Sequence, residues 1–359
     1  MSNLPLDPEI LISCLSSRSR HLSSAMISIA CPPNPPYSKL ADRVSSLGIL
    51  NRLPPEIMSI ILGMLDIQSI ARFARVSLEG NMLVKSQRPY RDLVTFAPHV
   101  LLALGRMGLI GLHSVAELHA SLRTEQCTAC TQYGAFLFLP TCERCCWECL
   151  RYNPSLRVLL PGEAKIYFGL SEWQVRRLPT LHVIPGNYGI VAEPAPKRCG
   201  LVSVKAARVA GLKVRGSTEK LAQAMARRCQ TTKLLTTGQY LQGGPTVSRG
   251  QDFLSLPSQG NIPPDKFFGM ASIPFPSLLK SGRIEHGLWC RGCEYTRHRY
   301  ESLQLSRDTL AAIVPSNCEP RRVLLGMERR AWSKEAFLDH IKHCYGARQL
   351  IPELANGSD

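Results

Sequence analysis

The sequence of 359 residues has no apolar run approaching the roughly 20 residues that a membrane-spanning helix needs. Its opening, MSNLPLDPEILISC, lacks a basic segment followed by a long apolar stretch, and Asp7 and Glu9 argue against a transit peptide. The expected setting is the cytoplasm, the nucleus or both, where thiols stay reduced. Also missing are an internal repeat, a phosphate-binding glycine loop, a nucleophile elbow and a metalloprotease helix, so a non-catalytic chain is expected. No cysteine falls between Cys31 and Cys127, although the chain has 14 in all.

Acidic residues are scarce, 27 against 43 Lys and Arg, which leaves a net charge of +16. Ten of the cations lie between Lys197 and Lys233, where the single acid is Glu219. Within that segment STEKLAQAMARRCQ has helical spacing, with Leu221, Ala224 and Met225 on one side and Lys220, Arg227 and Arg228 toward water. Neither interleaved aromatics nor a recognised nucleic-acid motif accompanies the charge, so a solvated basic face is expected, with an acidic partner or nucleic acid as the alternative.

Length suggests two or three units at one per roughly 150 residues. Residues 1–45 are Ser-rich, include CPPNPPYSK and lack periodicity, which reads as a flexible leader. Helical spacing begins with LPPEIMSIILGMLD, where two prolines suit a first turn, and continues in IQSIARFARV behind Asp66 as cap. APHVLLALGRMG and SVAELHASL extend the helical part, the latter with Ser114 and Glu117 at capping-box spacing. Beyond them GAFLFLPT is of strand type, LPTLHVIPGNYG reads as strand and turn, and 242–265 as a loop. SKEAFLDHIKHCYGARQL should be a helix capped by Ser333 and stopped near Gly346, before a tail at 355–359. The fold class expected is mainly α with a small α+β zinc-stabilised part.

Six cysteines crowd into CTACTQYGAFLFLPTCERCCWEC, residues 127–149. A CxxC turn lets two thiolates converge on one ion at about 2.3 Å, and a second pair completes a tetrahedron. Cys127 and Cys130 supply one pair; the second is Cys146 and Cys149, with Cys142 and Cys145 as alternates or part of another site. Neighbouring Cys145 and Cys146 point in different directions and do not suit one ion together. Buried reduced thiols and thiol chemistry or a RING-like module are the competing readings, though no activating base or βαβ setting is evident. A second set is Cys290 and Cys293 of WCRGC with His340 and Cys344, which are four apart on the last helix. Zinc is the expected ion, in a structural role. Cys14, Cys31, Cys199, Cys229 and Cys318 stand alone and read as ordinary thiols.

The run LPPEIMSIILGMLDIQSIARFARV resembles the F-box, a helical module of roughly forty-five residues. The similarity ends at Val76, which is followed by SLEGN where Cys-Lys-x-Trp is usual. More faintly, GAFLFLPTCERCCWECL, LWCRGC and FLDHIKHCYGA are similar to parts of fungal-type F-box proteins with a Cys-rich C-terminal region and no assigned substrate. The resemblance implies an F-box at 46–93 and a substrate-recognition domain at 94–354. It also implies docking to the Skp adaptor of a cullin-based SCF ubiquitin ligase through Leu53, Pro54, Pro55, Ile57, Ile60, Ile61, Leu65, Ser69, Ile70 and Val76. The residues themselves fit an incomplete unit: Leu53, Ile57, Ile60, Ile61, Met64 and Leu65 occupy more than one helix stripe, more than a short hairpin can bury. The expected function is thus a substrate-recognition adaptor; the alternative is a zinc-containing nucleic-acid or chromatin-binding protein that uses 197–233.

Overall fold

Capping side chains start the helices of the front end. In the computed structural model, which describes residues 7–17, 20–30, 45–196, 199–243 and 262–356, helix Pro55–Met64 begins with Pro55, where a missing N–H is harmless. Asp66 accepts hydrogen bonds from the backbone N–H of Ser69 at 2.8 Å and from its hydroxyl at 2.7 Å, opening helix Ile67–Phe73. Ser77 caps Leu78–Ser86, and the Ser114–Glu117 capping box opens Val115–Arg123. Helix Pro98–Met107 stops at Gly108, whose φ of 77° is the left-handed value that glycine adopts without strain.

Mostly helical, the described residues also form five small antiparallel sheets of two or three strands. In one, Phe136–Phe138 lies between Glu143–Cys145 and Ser272–Pro274, with Leu137 opposite both Arg144 and Ile273. In another, Leu288–Cys290 lies between Ser16–Ser17 and Ala331–Trp332. In the third, Gly200–Ser203 lies between Val158–Leu159 and Thr180–His182. The basic segment continues from it as helices Val204–Arg215 and Thr218–Ala226, which pack through Val204, Ala207 and Leu221 on Phe168 and Leu241.

One core runs through both halves of the chain. Met58, Leu62, Ile67 and Ile70 of the front helices belong to the same buried cluster as Leu118, Leu122, Phe136, Trp147 and Ile273. The boundary expected between 93 and 94 falls inside helix Arg88–Phe96, where Leu93 is wholly buried. The inner stripe of the front helices is covered by the rest of the chain.

Part of the leader is ordered too. Asp7 caps helix Pro8–Leu15, Leu11 and Leu15 are buried one turn apart, and Ser16 pairs with Cys290. After helix Arg20–Ser24, Ala25, Met26 and Ile27 are buried, and the Ile27 N–H donates to the Ser272 carbonyl at 2.9 Å. Composition suggested flexibility because eight residues are too few to reveal an apolar face whose cover comes from some 280 residues away. The CPPNPPYSK stretch, most of the 242–265 loop and residues 357–359 of the tail lie outside the described residues.

The end of the chain differs in a second respect. Helix Lys334–His343, capped by Ser333, stops at Cys344, and a further helix, Tyr345–Asn356, passes through Gly346. Gly346 is there for close approach: a Cβ on it would lie 1.9 Å from the Gly292 carbonyl oxygen.

Arg144 ties the central sheet to its surroundings. It is 1% exposed, and its Nε donates to the Ser121 carbonyl at 3.1 Å, its Nη1 to the carbonyls of Gly134 and Phe275, and its Nη2 to that of Pro276. Burial lowers its pKa to about 10, so it stays protonated at neutral pH. Each buried acceptor left without a donor costs roughly 1–3 kcal/mol, so Arg144→Met should destabilise the fold by about 3 kcal/mol or more. Urea titration measures this; a midpoint equal to wild type would contradict the role.

Candidate functional site

Two groups of soft donors converge in the folded chain. Cys127 and Cys130 lie on the turn before strand Phe136–Phe138, which is held by the Cys127 N–H on the Gln132 carbonyl and the Thr128 N–H on the Arg144 carbonyl, at 2.8 and 2.9 Å. Cys146 is the cap of helix Trp147–Tyr152, and its sulfur accepts from the Cys149 N–H at 3.4 Å. The four sulfurs lie within 4.8 Å of one another, all buried, with Cys130 and Cys146 Sγ 3.6 Å apart. A tetrahedron with bonds of 2.3 Å would space its sulfurs by about 3.8 Å.

The alternates lie outside this quartet. Cys142 sits at φ 54° with its thiol 3.5 Å from the Ser121 hydroxyl, and burial pushes its pKa up to about 11. Cys145 turns its thiol to the Glu143 carbonyl at 3.2 Å and is raised above the ordinary range by desolvation. Strand pairing through residue 145 followed by a helix cap at 146 sends the two neighbours apart.

The second group joins three elements. Cys290 ends strand Leu288–Cys290, Cys293 is in the first turn of helix Arg291–Glu301, and His340 and Cys344 come from the last turn and end of Lys334–His343. Cys344 Sγ is 3.8 Å from the sulfurs of both Cys290 and Cys293, and Cys293 Sγ is 3.2 Å from His340 Nε2. Trp332 stacks on the His340 ring with centroids 4.4 Å apart. Arg297 bonds Glu328 at 2.5 Å, fastening the intervening helix Pro320–Arg329. Leu11 and Leu15 of the N-terminal helix pack in the same cluster as these cysteines.

Thiols this close share protons and shift one another's titration in opposite directions. Bonds from Cys130 first, then from its other neighbours, hold the Cys127 thiol far below its usual range; the same sharing with Cys127 first pushes Cys146 and Cys149 far up. In the second group Cys344 is held far down, first by Cys290, while Cys293 is pushed up. A divalent ion favours several thiolates together. With four N/S donor atoms within 4.8 Å of one another in each group, both donor sets fit a metal ion.

The residues implied for adaptor docking divide by face. Leu53, Pro54, Pro55, Ile57, Ile60 and Ile61 are exposed, and Val76 is 80% exposed. Met64, which the resemblance did not include, extends the stripe formed by Ile57, Ile60 and Ile61 at helical spacing and is 73% exposed. Leu65 and Ser69 are half-buried, with Ser69 held by Asp66. Ile70 is fully buried and drops out of any contact set: on helix Ile67–Phe73 it shares the inner face with Ile67, which the chain's own core occupies. In the basic segment Lys205 pairs with Glu143 at 2.6 Å, and Arg215 and Arg228 donate to the carbonyls of Gly169 and Lys165. Cys14, Cys199, Cys229 and Cys318 belong to neither metal group; Cys31 lies outside the described residues.

Compared with known proteins, the chain matches no family model, no curated protein and no solved structure. No helix among the described residues is long and apolar enough to cross a membrane.

Cys127→Ser with Cys130→Ser should remove one equivalent of metal in elemental analysis. Because the quartet shares its core with Met58 and Leu62, limited proteolysis should then cut the front helices as well as the region beyond residue 95; front helices left resistant would contradict the shared core. Cys290→Ser with Cys293→Ser should remove a second equivalent and expose Pro8–Leu15 to cleavage. Gly346→Ala should lower thermal stability by about 1–3 kcal/mol and weaken retention of that second metal, since a backbone carbonyl stands where the methyl must go.

Proposed function

We propose that the chain is a non-catalytic substrate-recognition adaptor of a Skp/cullin/F-box ubiquitin ligase, stabilised by zinc in both donor groups. The observation that supports this best is the two-faced helix Pro55–Met64. Its inner residues Met58 and Leu62 are 4% and 1% exposed, whereas Ile57, Ile60, Ile61 and Met64 range from 41% to 73% on the other side. Fully burying a side chain of this size is worth roughly 1.5–3 kcal/mol, so such a stripe is costly in water and rewards a partner that covers it. The F-box resemblance supplies the partner, the Skp adaptor.

Zinc suits the two sets, Cys127, Cys130, Cys146, Cys149 and Cys290, Cys293, His340, Cys344, because four N/S donors that leave no open position belong to structural sites. Bound there it would supply cross-linking of distant segments. Ubiquitin transfer would then depend on proximity, with the region beyond residue 94 holding a target beside another subunit's enzyme. The nucleic-acid alternative has less support, because Lys205, Arg215 and Arg228 are engaged within the fold. An apolar contact is also far less salt-sensitive than phosphate binding, which separates the two readings.

Leu53→Ala with Ile57→Ala tests the proposal in a pull-down of the Skp adaptor at matched soluble expression. Both residues are exposed, at 37% and 44%, so the fold should persist. Recovery should fall roughly thirtyfold or more, as for loss of about 2 kcal/mol at an interface anchor. Undiminished recovery would remove the adaptor reading.

A further inference from the structure

A cavity of about 430 Å³ opens between helix Trp147–Tyr152, the hairpin of Asn187–Tyr188 and Glu193–Pro194, and residues 262–268. Arg157, 5% exposed, lines it. Its Nη1 donates to the Pro263 carbonyl at 2.9 Å and its guanidinium lies 4.6 Å over the Tyr240 ring. The Asp265 carboxylate stands 3.6 Å from Nε, beyond hydrogen-bond reach, and this buried Nε has no hydrogen-bond partner. Asp265 thus balances the Arg157 charge as an ion pair without taking the Nε hydrogen bond, and Nη2 reaches the Arg151 carbonyl at 3.5 Å, so Arg157 is a fixed, pre-oriented cation in the cavity wall.

The rim supplies the rest of a binding site. Arg151 and Lys266 line it, and the Lys266 bond to Glu163, 3.1 Å, is at the surface with the lysine side chain 60% exposed. On the opposite lip the hairpin tip carries Ile190 and Val191, 52% and 80% exposed. That tip is turned by Gly189 at φ 76° and Ala192 at φ 56°, the second a strained conformation for a residue with a side chain. Two β-branched side chains held in water beside a cationic cleft match an apolar residue next to an anion. The lining acids Asp265 and Glu193 leave an excess of a single positive charge, suited to one anionic group and unsuited to a polyphosphate backbone.

We propose that this cavity binds a peptide segment in which an anionic side chain, carboxylate or phosphate, adjoins an apolar residue, the anion meeting Arg157, Arg151 and Lys266 and the apolar neighbour meeting Ile190 and Val191. The inference names a substrate class for the recognition role proposed above and to that extent rests on it.

The test uses the full-length, metal-loaded chain, immobilised, and amidated octapeptide pools with one fixed position, Glu, phosphoserine or Gln, and all others random. The Glu or the phosphoserine pool should be retained roughly tenfold or more over the Gln pool, as expected for charge-assisted hydrogen bonds, and sequencing should show apolar enrichment beside the fixed residue. The comparison of those two pools tells carboxylate from phosphate. The preference should vanish in the Arg151→Glu, Lys266→Glu double variant with its metal content verified. It should also weaken in Val191→Asp, whose exposed position removes folding from consideration. Equal retention of all pools, or a preference that survives both variants, overturns the proposal. Skp-adaptor capture by the same wild-type chain keeps the readings apart: acidic-peptide selection without adaptor capture removes the ligase role and leaves the cavity's ligand standing, and capture without selection does the reverse.

Discussion

The structure turns on a charge taken out of water and held by four backbone carbonyls. The Arg144 guanidinium is buried among the carbonyls of Ser121, Gly134, Phe275 and Pro276 and over the Phe275 ring, and these groups belong to a helix, a turn and a distant segment. Gly134 is required beside it, since a Cβ there would lie 2.4 Å from Arg144 Cγ. A buried cation is tolerated only when its donors are met, so the segments carrying those carbonyls must come together in one arrangement. Arg144 also directly precedes the pair Cys145–Cys146, so the same constraint positions strand Glu143–Cys145 and the helix cap at Cys146.

The two donor groups extend that logic to the ends of the chain. Cys127 to Cys149 closes a local loop around strand Phe136–Phe138, whereas Cys290 to Cys344 spans several helices and lies against the N-terminal helix. A metal bound there would cross-link a long stretch, which restricts the unfolded chain most, and the site coincides with the tight crossing at Gly292 and Gly346. Helices that touch backbone to backbone leave little freedom for the donor side chains between them, which keeps Cys290, Cys293, His340 and Cys344 close together.

Within this frame, the exposed stripe of Pro55–Met64 and the Arg157 cavity are carried by a common core and not by modules on a linker. For the adaptor role we propose, that matters mechanically: a target held in the cavity would keep a defined position with respect to the docking helix. A rigid connection converts binding at one place into proximity at another, whereas a flexible one dilutes it.

What the sequence determined by itself is what depends on near neighbours. Asp66, Ser77, Ser114 and Ser333 cap the helices behind them because the bond closes within three residues, and the CxxC spacing pairs its own sulfurs for the same reason. That Cys145 and Cys146 do not serve one site together was legible too, since neighbouring residues point in different directions; the strand pairing of Cys145 and the helix cap at Cys146 decided which of them joins the quartet. Only the tertiary structure decided what rests on distant partners. Leu11 and Leu15 look like part of a Ser-rich leader until the cluster around Cys290 and Phe337 covers them. Gly346 reads as a stop signal until the carbonyl of Gly292 occupies the space of its missing side chain. Ile70 and Ile60 carry the same side chain in neighbouring helices, yet one is buried and the other 60% exposed, because burial is set by which face the rest of the chain reaches and not by the residue's own chemistry.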